Sequence, residues 1–217
     1  MGAVCVFTTG LCYFLITLCA LIAPKPIASY VASKSYFADF TGYRYYFITL
    51  KYLMTIACAS TIGVVISLYH LDEKRGEGWR ILLSVLAIVG LGIGMLQNVL
   101  DATQIPHLVT QYDKAPPIIQ HVMIAFGVAD PAIYMLSLGI PGVWLIFINY
   151  IHRNEFSRFL VFFGLLWGFG SILTVIAHLF VLIWLIYLIA AGALVGVPLW
   201  TFFQWVYLKK KIDECSL

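Results

Sequence analysis

The feature that most constrains this chain is a succession of apolar runs, each about as long as a bilayer is thick, with little sequence left between them. A helix rises ~1.5 Å per residue, so about 20 residues cross a hydrocarbon core of ~30 Å. Such runs lie at about residues 3–23, 45–69, 80–100, 128–151, 157–178 and 184–208. The last two divide a single stretch: from Phe156 to Leu208 the one charged residue is Arg158 and the one histidine is His178. That length suits two crossings with a tight hairpin near His178. In lipid, every backbone N–H and C=O must be satisfied within the structure, which leaves helices and closed barrels. The alternation of a membrane barrel is absent. The expected fold is all-α: a polytopic transmembrane helix bundle of six spans, a single domain over residues 1–217.

Composition points the same way. The chain is 62% hydrophobic and 11% charged, with a mean hydropathy of +0.96. Soluble domains carry about 25% charged residues, and a soluble fold of this length could not hide so much apolar surface. A net charge of +3, with Lys and Arg scattered singly outside one C-terminal cluster, offers no basic groove for nucleic acid. The N-terminus lacks a basic leader and carries Val6 where a myristoylation signal has Ser or Thr, so the first run reads as a retained helix.

Positive charge sets the expected orientation. With six spans, Lys74, Arg75, Arg80, Arg153, Arg158, Lys209, Lys210 and Lys211 fall on one side. Lys25, Lys34, Arg44, Lys51 and Lys114 fall on the other. The first set is larger and hugs the helix ends, so both termini are expected in the cytoplasm. The longest connections, residues 24–44 and 101–127, are then outside. Within the second, Ile118, Ile119, Val122, Met123 and Phe126 share one face of a short interfacial helix.

Polar groups inside membrane helices are expensive, which makes them candidate sites. Most collect at the outer level. Lys51 lies in the second run; Gln97, Asn98 and Asp101 end the third; Asp130 begins the fourth; His178 sits at the last hairpin. Lys51 paired with Asp101 or Asp130 would lower the cost of both charges. The functional reading is a small polar site open outward, in which Lys51 binds an anionic headgroup or substrate. The structural reading is an ion pair, with Asp130 before Pro131 as a helix start. A metal would need several convergent donors. His107, His121 and His178 are the candidates, and Pro116 and Pro117 prevent one helix from carrying the first two. His70 and His152 fall at cytoplasmic helix ends, where no ligand is needed to explain them.

Other chemistry finds no motif. There is no phosphate loop, no HExxH, no GxSxG and no CxxC, so no cofactor is indicated. Cys5, Cys12 and Cys19 share a helix face, either as a thiol stripe or as small packing residues. Gly90 with Gly94, Gly164 with Gly168, and Gly192 with Gly196 are GxxxG pairs that permit close helix contact. Pro141 and Pro198 fall inside runs and should kink them. Trp167, Trp184 and Trp200 either line a groove for a quinone, pigment or lipid, or pack against helices.

The fourth run, Pro131 to Asn149 with its Gly139-Ile140-Pro141-Gly142 break, and the paired runs from Phe159 to Leu208 resemble an uncharacterised family of six-helix bacterial membrane proteins. The likeness covers the C-terminal half, implies no activity and transfers no functional residue. The sequence thus leads to three expectations. The first is a non-catalytic accessory or structural subunit of a larger membrane complex, in the bacterial inner membrane, with lipids and other membrane subunits as partners. The second is a transporter or binder of a small solute or lipid, acting through Lys51, Gln97, Asn98, Asp101, Asp130 and His178. The third is an intramembrane enzyme or metal or haem protein using the outer histidines.

Overall fold

The computed structural model describes residues 1–22, 34–71, 77–112, 114–127, 133, 135–180 and 182–215. Among them the chain is helical apart from short turns, with no strand. The elements are α1 (Gly2–Ile22), α2 (Lys34–Leu71), α3 (Glu77–Tyr112), α4 (Pro117–Gly127), a π-helical turn (Met135–Gly139) running into α5 (Ile140–Ile151), α6 (Arg158–Leu179) and α7 (Ile183–Cys215). Among the described residues, four stretches are long and apolar enough to cross a membrane: Gly2–Cys19, Gly42–His70, Gly78–Tyr112 and Arg158–Leu179. Met135–Ile151 is a shorter apolar helix. The chain is a multi-pass membrane protein by this criterion.

The helices close on themselves. α1 packs on α2, α2 on α3, α3 on α5, α5 on α6, α6 on α7, and α7 back on α1. The result, among the described residues, is a ring in chain order with antiparallel neighbours. Gly2 lies against both Ser67 of α2 and Leu208 of α7, so the start of α1 and the last turns of α7 share one end of the bundle. The main core fills this half of the ring, with Val6, Val64, Leu68, Ala87, Trp144, Ile148, Leu160, Trp200 and Leu208 buried together. The outward faces are apolar as well. Phe7, Leu11 and Phe14 on α1, Val85 and Val89 on α3, and Phe159, Phe162 and Phe169 on α6 are all exposed, as lipid-facing residues should be.

Two helices run past the expected spans. α2 begins at Lys34, not near residue 45, and α3 continues through Asp101 and Pro106 to Tyr112. At 38 and 36 residues they measure ~57 and ~54 Å, well beyond a ~30 Å core. Their extensions hold each other up: Phe40 and Phe47 pack with Ile105, Val109 and Tyr112 in a small separate core. Much of the expected outer connections is therefore an antiparallel helix pair. Hydropathy misses such extensions because only one face of each need be apolar.

The Gly139-Ile140-Pro141-Gly142 break has a local cause. Pro141 has no amide hydrogen, and its ring crowds the carbonyl of Ser137 four residues earlier. The helix widens into a π turn over Met135–Gly139 before resuming as α5. Gly90 accommodates the bulge, since the Leu136 carbonyl occupies the space that a side chain there would need. Gly164 does the same between α5 and α6, where a Cβ would overlap the Asn149 side chain. These pairs thus serve contacts inside the bundle. α6 starts at Ser157, whose Oγ accepts the Leu160 N–H at 3.2 Å. At the expected hairpin near His178, α6 ends at Leu179 with Phe180 as its C-cap, and α7 begins at Ile183.

Candidate functional site

The level expected from the sequence to be the outer one holds a close polar contact across two helices. Lys51 Nζ on α2 is 2.7 Å from Asp101 Oδ2 on α3. The other carboxylate oxygen, Oδ1, accepts from Gln97 Nε2, also at 2.7 Å and one turn earlier on α3. The Phe47 ring lies 5.5 Å from the ammonium. Lys51 is only 7% exposed, and the Asp101 side chain 20%. One cation, one anion and one amide are thus turned to one another, and they join α2 to α3.

The other described candidates have their contacts elsewhere. Asn98 turns its Nδ2 back to the Gly94 carbonyl on its own helix, at 2.8 Å. His178 lies on the last turn of α6, which packs on α5 and α7, and its Nδ1 is 2.8 Å from the Thr174 carbonyl. His107 and His121 are exposed, and His121 Nδ1 contacts the Pro117 carbonyl of its own helix at 2.7 Å. Asp130 lies outside the described residues. Among the described residues, no group of three His, Cys, Asp or Glu is placed to hold a metal ion. α4 forms as expected, with Ile118, Ile119 and Val122 exposed; the side chains of Met123 and Phe126 lie outside the described set.

A second polar set lies at the opposite level, inside the ring. Arg80 sits over the Tyr69 ring at 4.9 Å. At ~1.5 Å per residue, residues 51 to 69 of α2 cover ~27 Å and residues 80 to 101 of α3 cover ~32 Å. The Arg80–Tyr69 contact and the Lys51–Asp101 pair therefore stand about one hydrocarbon thickness apart. On the inner level Trp144 Nε1 donates to Ser84 Oγ at 3.2 Å, and Trp200 Nε1 to Asn149 Oδ1 at 3.5 Å. His152, Thr201 and Gln204 are buried as well. Further in, Thr9 Oγ1 donates to Ser60 Oγ at 2.8 Å between α1 and α2.

Sequence reasoning placed Arg80 and His152 at cytoplasmic helix ends; the structure buries both. It passed over Asn149 and Gln204, which are uncharged. Their signal was legible nonetheless, since an amide side chain within an apolar run is anomalous by itself. The tryptophans divide. Trp167 meets Trp200 edge-on at 5.3 Å and Tyr13 at 5.6 Å as bundle packing, while Trp184 is exposed.

No family model, curated protein or solved structure matches this chain. The likeness of its C-terminal half to a six-helix bacterial family thus finds no counterpart in these comparisons.

Proposed function

We propose that this chain is a non-catalytic integral membrane protein of six spans, with both termini on the cytoplasmic side of a bacterial inner membrane, acting as an accessory or structural subunit of a larger complex. The observation that carries this reading is the Lys51–Asp101–Gln97 set, which joins α2 to α3. The charges best suited to an outer binding site are consumed in joining two helices, as in a scaffold. The adjacency of Gly2 and Leu208 at one end supports an even number of crossings, and the excess of Lys and Arg near that end supports its cytoplasmic placement. Gly192 on α7 faces open space between exposed Leu188 and Val195, a surface suited to a close helix neighbour.

The test is extraction in mild detergent followed by native mass measurement. Defined heavier chains should accompany the protein; a clean monomer or homodimer would overturn the subunit assignment. A second reading, a binder of a small solute, draws on the inner set of buried polar side chains around Arg80 and Gln204. It calls for a ligand-dependent stability shift that mutation of those two residues removes.

A further inference from the structure

α6 and α7 pack side by side, and the groove between them is aromatic at one end. Phe203 of α7 stacks on Phe159 of α6 at 5.7 Å with 13° between the ring planes, and on Phe163 at 6.2 Å with 9°. The three rings are nearly parallel and bridge the two helices as one flat floor. Phe159 is 64% exposed, so the floor is uncovered at its α6 edge. One turn further along α7, Tyr207 meets Phe156 at 4.9 Å and Glu155 Oε2 at 3.4 Å. The two helices therefore stay in antiparallel register up to the end of the bundle.

Cations rim this floor. Arg158 opens α6 directly before Phe159, is exposed, and forms no ion pair among the described residues. Lys210 is also exposed, and lies about two helical turns beyond Phe203, on the same face of α7. Glu155, the neighbouring carboxylate, is turned to Tyr207 and stands 3.7 Å from His152 Nδ1. The depth narrows the chemistry. The apolar stretch Arg158–Leu179 has 22 residues and measures ~33 Å, about one hydrocarbon thickness, so its first residue stands at the level of lipid phosphates.

Positive charge at phosphate level above an apolar floor complements a molecule with an anionic head and a hydrocarbon tail. A free anion gains nothing from the rings, and a lipid without net charge gains little from the cations. Rings already stacked on each other have little freedom left to lose when a chain settles on them. We propose that the α6–α7 groove binds one anionic phospholipid, its phosphate held by Arg158 and Lys210 and an acyl chain laid over Phe159 and Phe203. The site is independent of whether the bundle is a subunit.

Delipidated full-length protein in neutral detergent is titrated with phosphatidylglycerol and with phosphatidylcholine of the same acyl chains, and bound lipid is counted by native mass measurement. Wild type should take up one phosphatidylglycerol in preference. Arg158→Gln should weaken that binding about fivefold, and Arg158→Gln with Lys210→Gln about thirtyfold, with phosphatidylcholine unchanged. Phe159→Ala should weaken both lipids alike, because it removes floor and no charge; a loss confined to phosphatidylglycerol, or no loss, overturns the placement of the chain. Lys114→Gln removes an exposed cation outside the groove and should leave the preference intact. Equal uptake of the two lipids by wild type overturns the proposal. So does a preference that survives the double change, or one that Lys114→Gln lowers as much as Arg158→Gln, since net charge alone would then explain it. If the double variant does not fold, Arg158→Gln decides, and unchanged phosphatidylglycerol binding in it overturns the site.

Discussion

Replacing Asp101 by Asn, while Lys51 stays, tests whether the outer polar set is a lock between α2 and α3. At 2.7 Å the two charges attract with ~6 kcal/mol at an effective dielectric of about 20, before the expense of drying them is counted. Desolvation takes back much of that, so the pair itself contributes little net stability. Breaking it is a different matter. Asp101→Asn leaves an ammonium that is 7% exposed, under Phe47 and between two packed helices. Loss of one partner of a buried pair costs about 3–5 kcal/mol. The double change Lys51→Met, Asp101→Leu removes both charges and should stay within about 1 kcal/mol of wild type, or exceed it. The assay is equilibrium unfolding in mixed micelles, read by tryptophan fluorescence and circular dichroism, with Lys51→Met and Asp101→Leu also made singly so that they, the double variant and wild type form a double-mutant cycle. The reasoning fails if Asp101→Asn loses less than about 1 kcal/mol, because Lys51 would then be reaching the interface freely. It fails equally if the two single losses add in the double variant, which would mean that the residues do not act as a pair.

Three further outcomes follow from the packing. Gly164→Ala should lose about 1–3 kcal/mol by overlap with Asn149, and Asn149→Ala in the same chain should recover part of it; no recovery would show that the contact is not the cause. Gly90→Ala should destabilise because the Leu136 backbone cannot yield, whereas Gly92→Ala, which meets nothing within 4 Å, should be neutral or gain up to about 1 kcal/mol of helix propensity; equal effects at the two sites would rule out the π-turn contact. Tags placed before Met1 and after Leu217 should both be reached from the cytoplasmic side alone, and a split result would exclude an even number of spans.

The helical, lipid-facing character of this protein was legible in the chain because it is written in composition and run length. So was a carboxylate partner for Lys51, since opposite charges at one depth of neighbouring antiparallel helices have few cheaper options than each other; the sequence left Asp101 and Asp130 both open, and the fold pairs Lys51 with Asp101. Gln97 was placed at the right level, but its role as the second donor to the carboxylate depended on a rotamer. The helix ends were misjudged at Lys34 and Tyr112 because a pair of helices outside the apolar slab needs only one apolar face each, and hydropathy averages over both. The outer histidines looked collectable as residue types; the prolines between His107 and His121 already put those two on separate helices, but that both would be exposed was not legible in the spacing.

The sequence by itself determined that lipid surrounds most of the chain and that helices must satisfy its backbone, because these depend on local composition and on the absence of water. Only the tertiary structure decided that the helices close into a ring, and closure is what turned Arg80, Asn149, His152 and Gln204 inward. Burial of a side chain is a property of its neighbours in space, and those neighbours come from helices far apart in the chain.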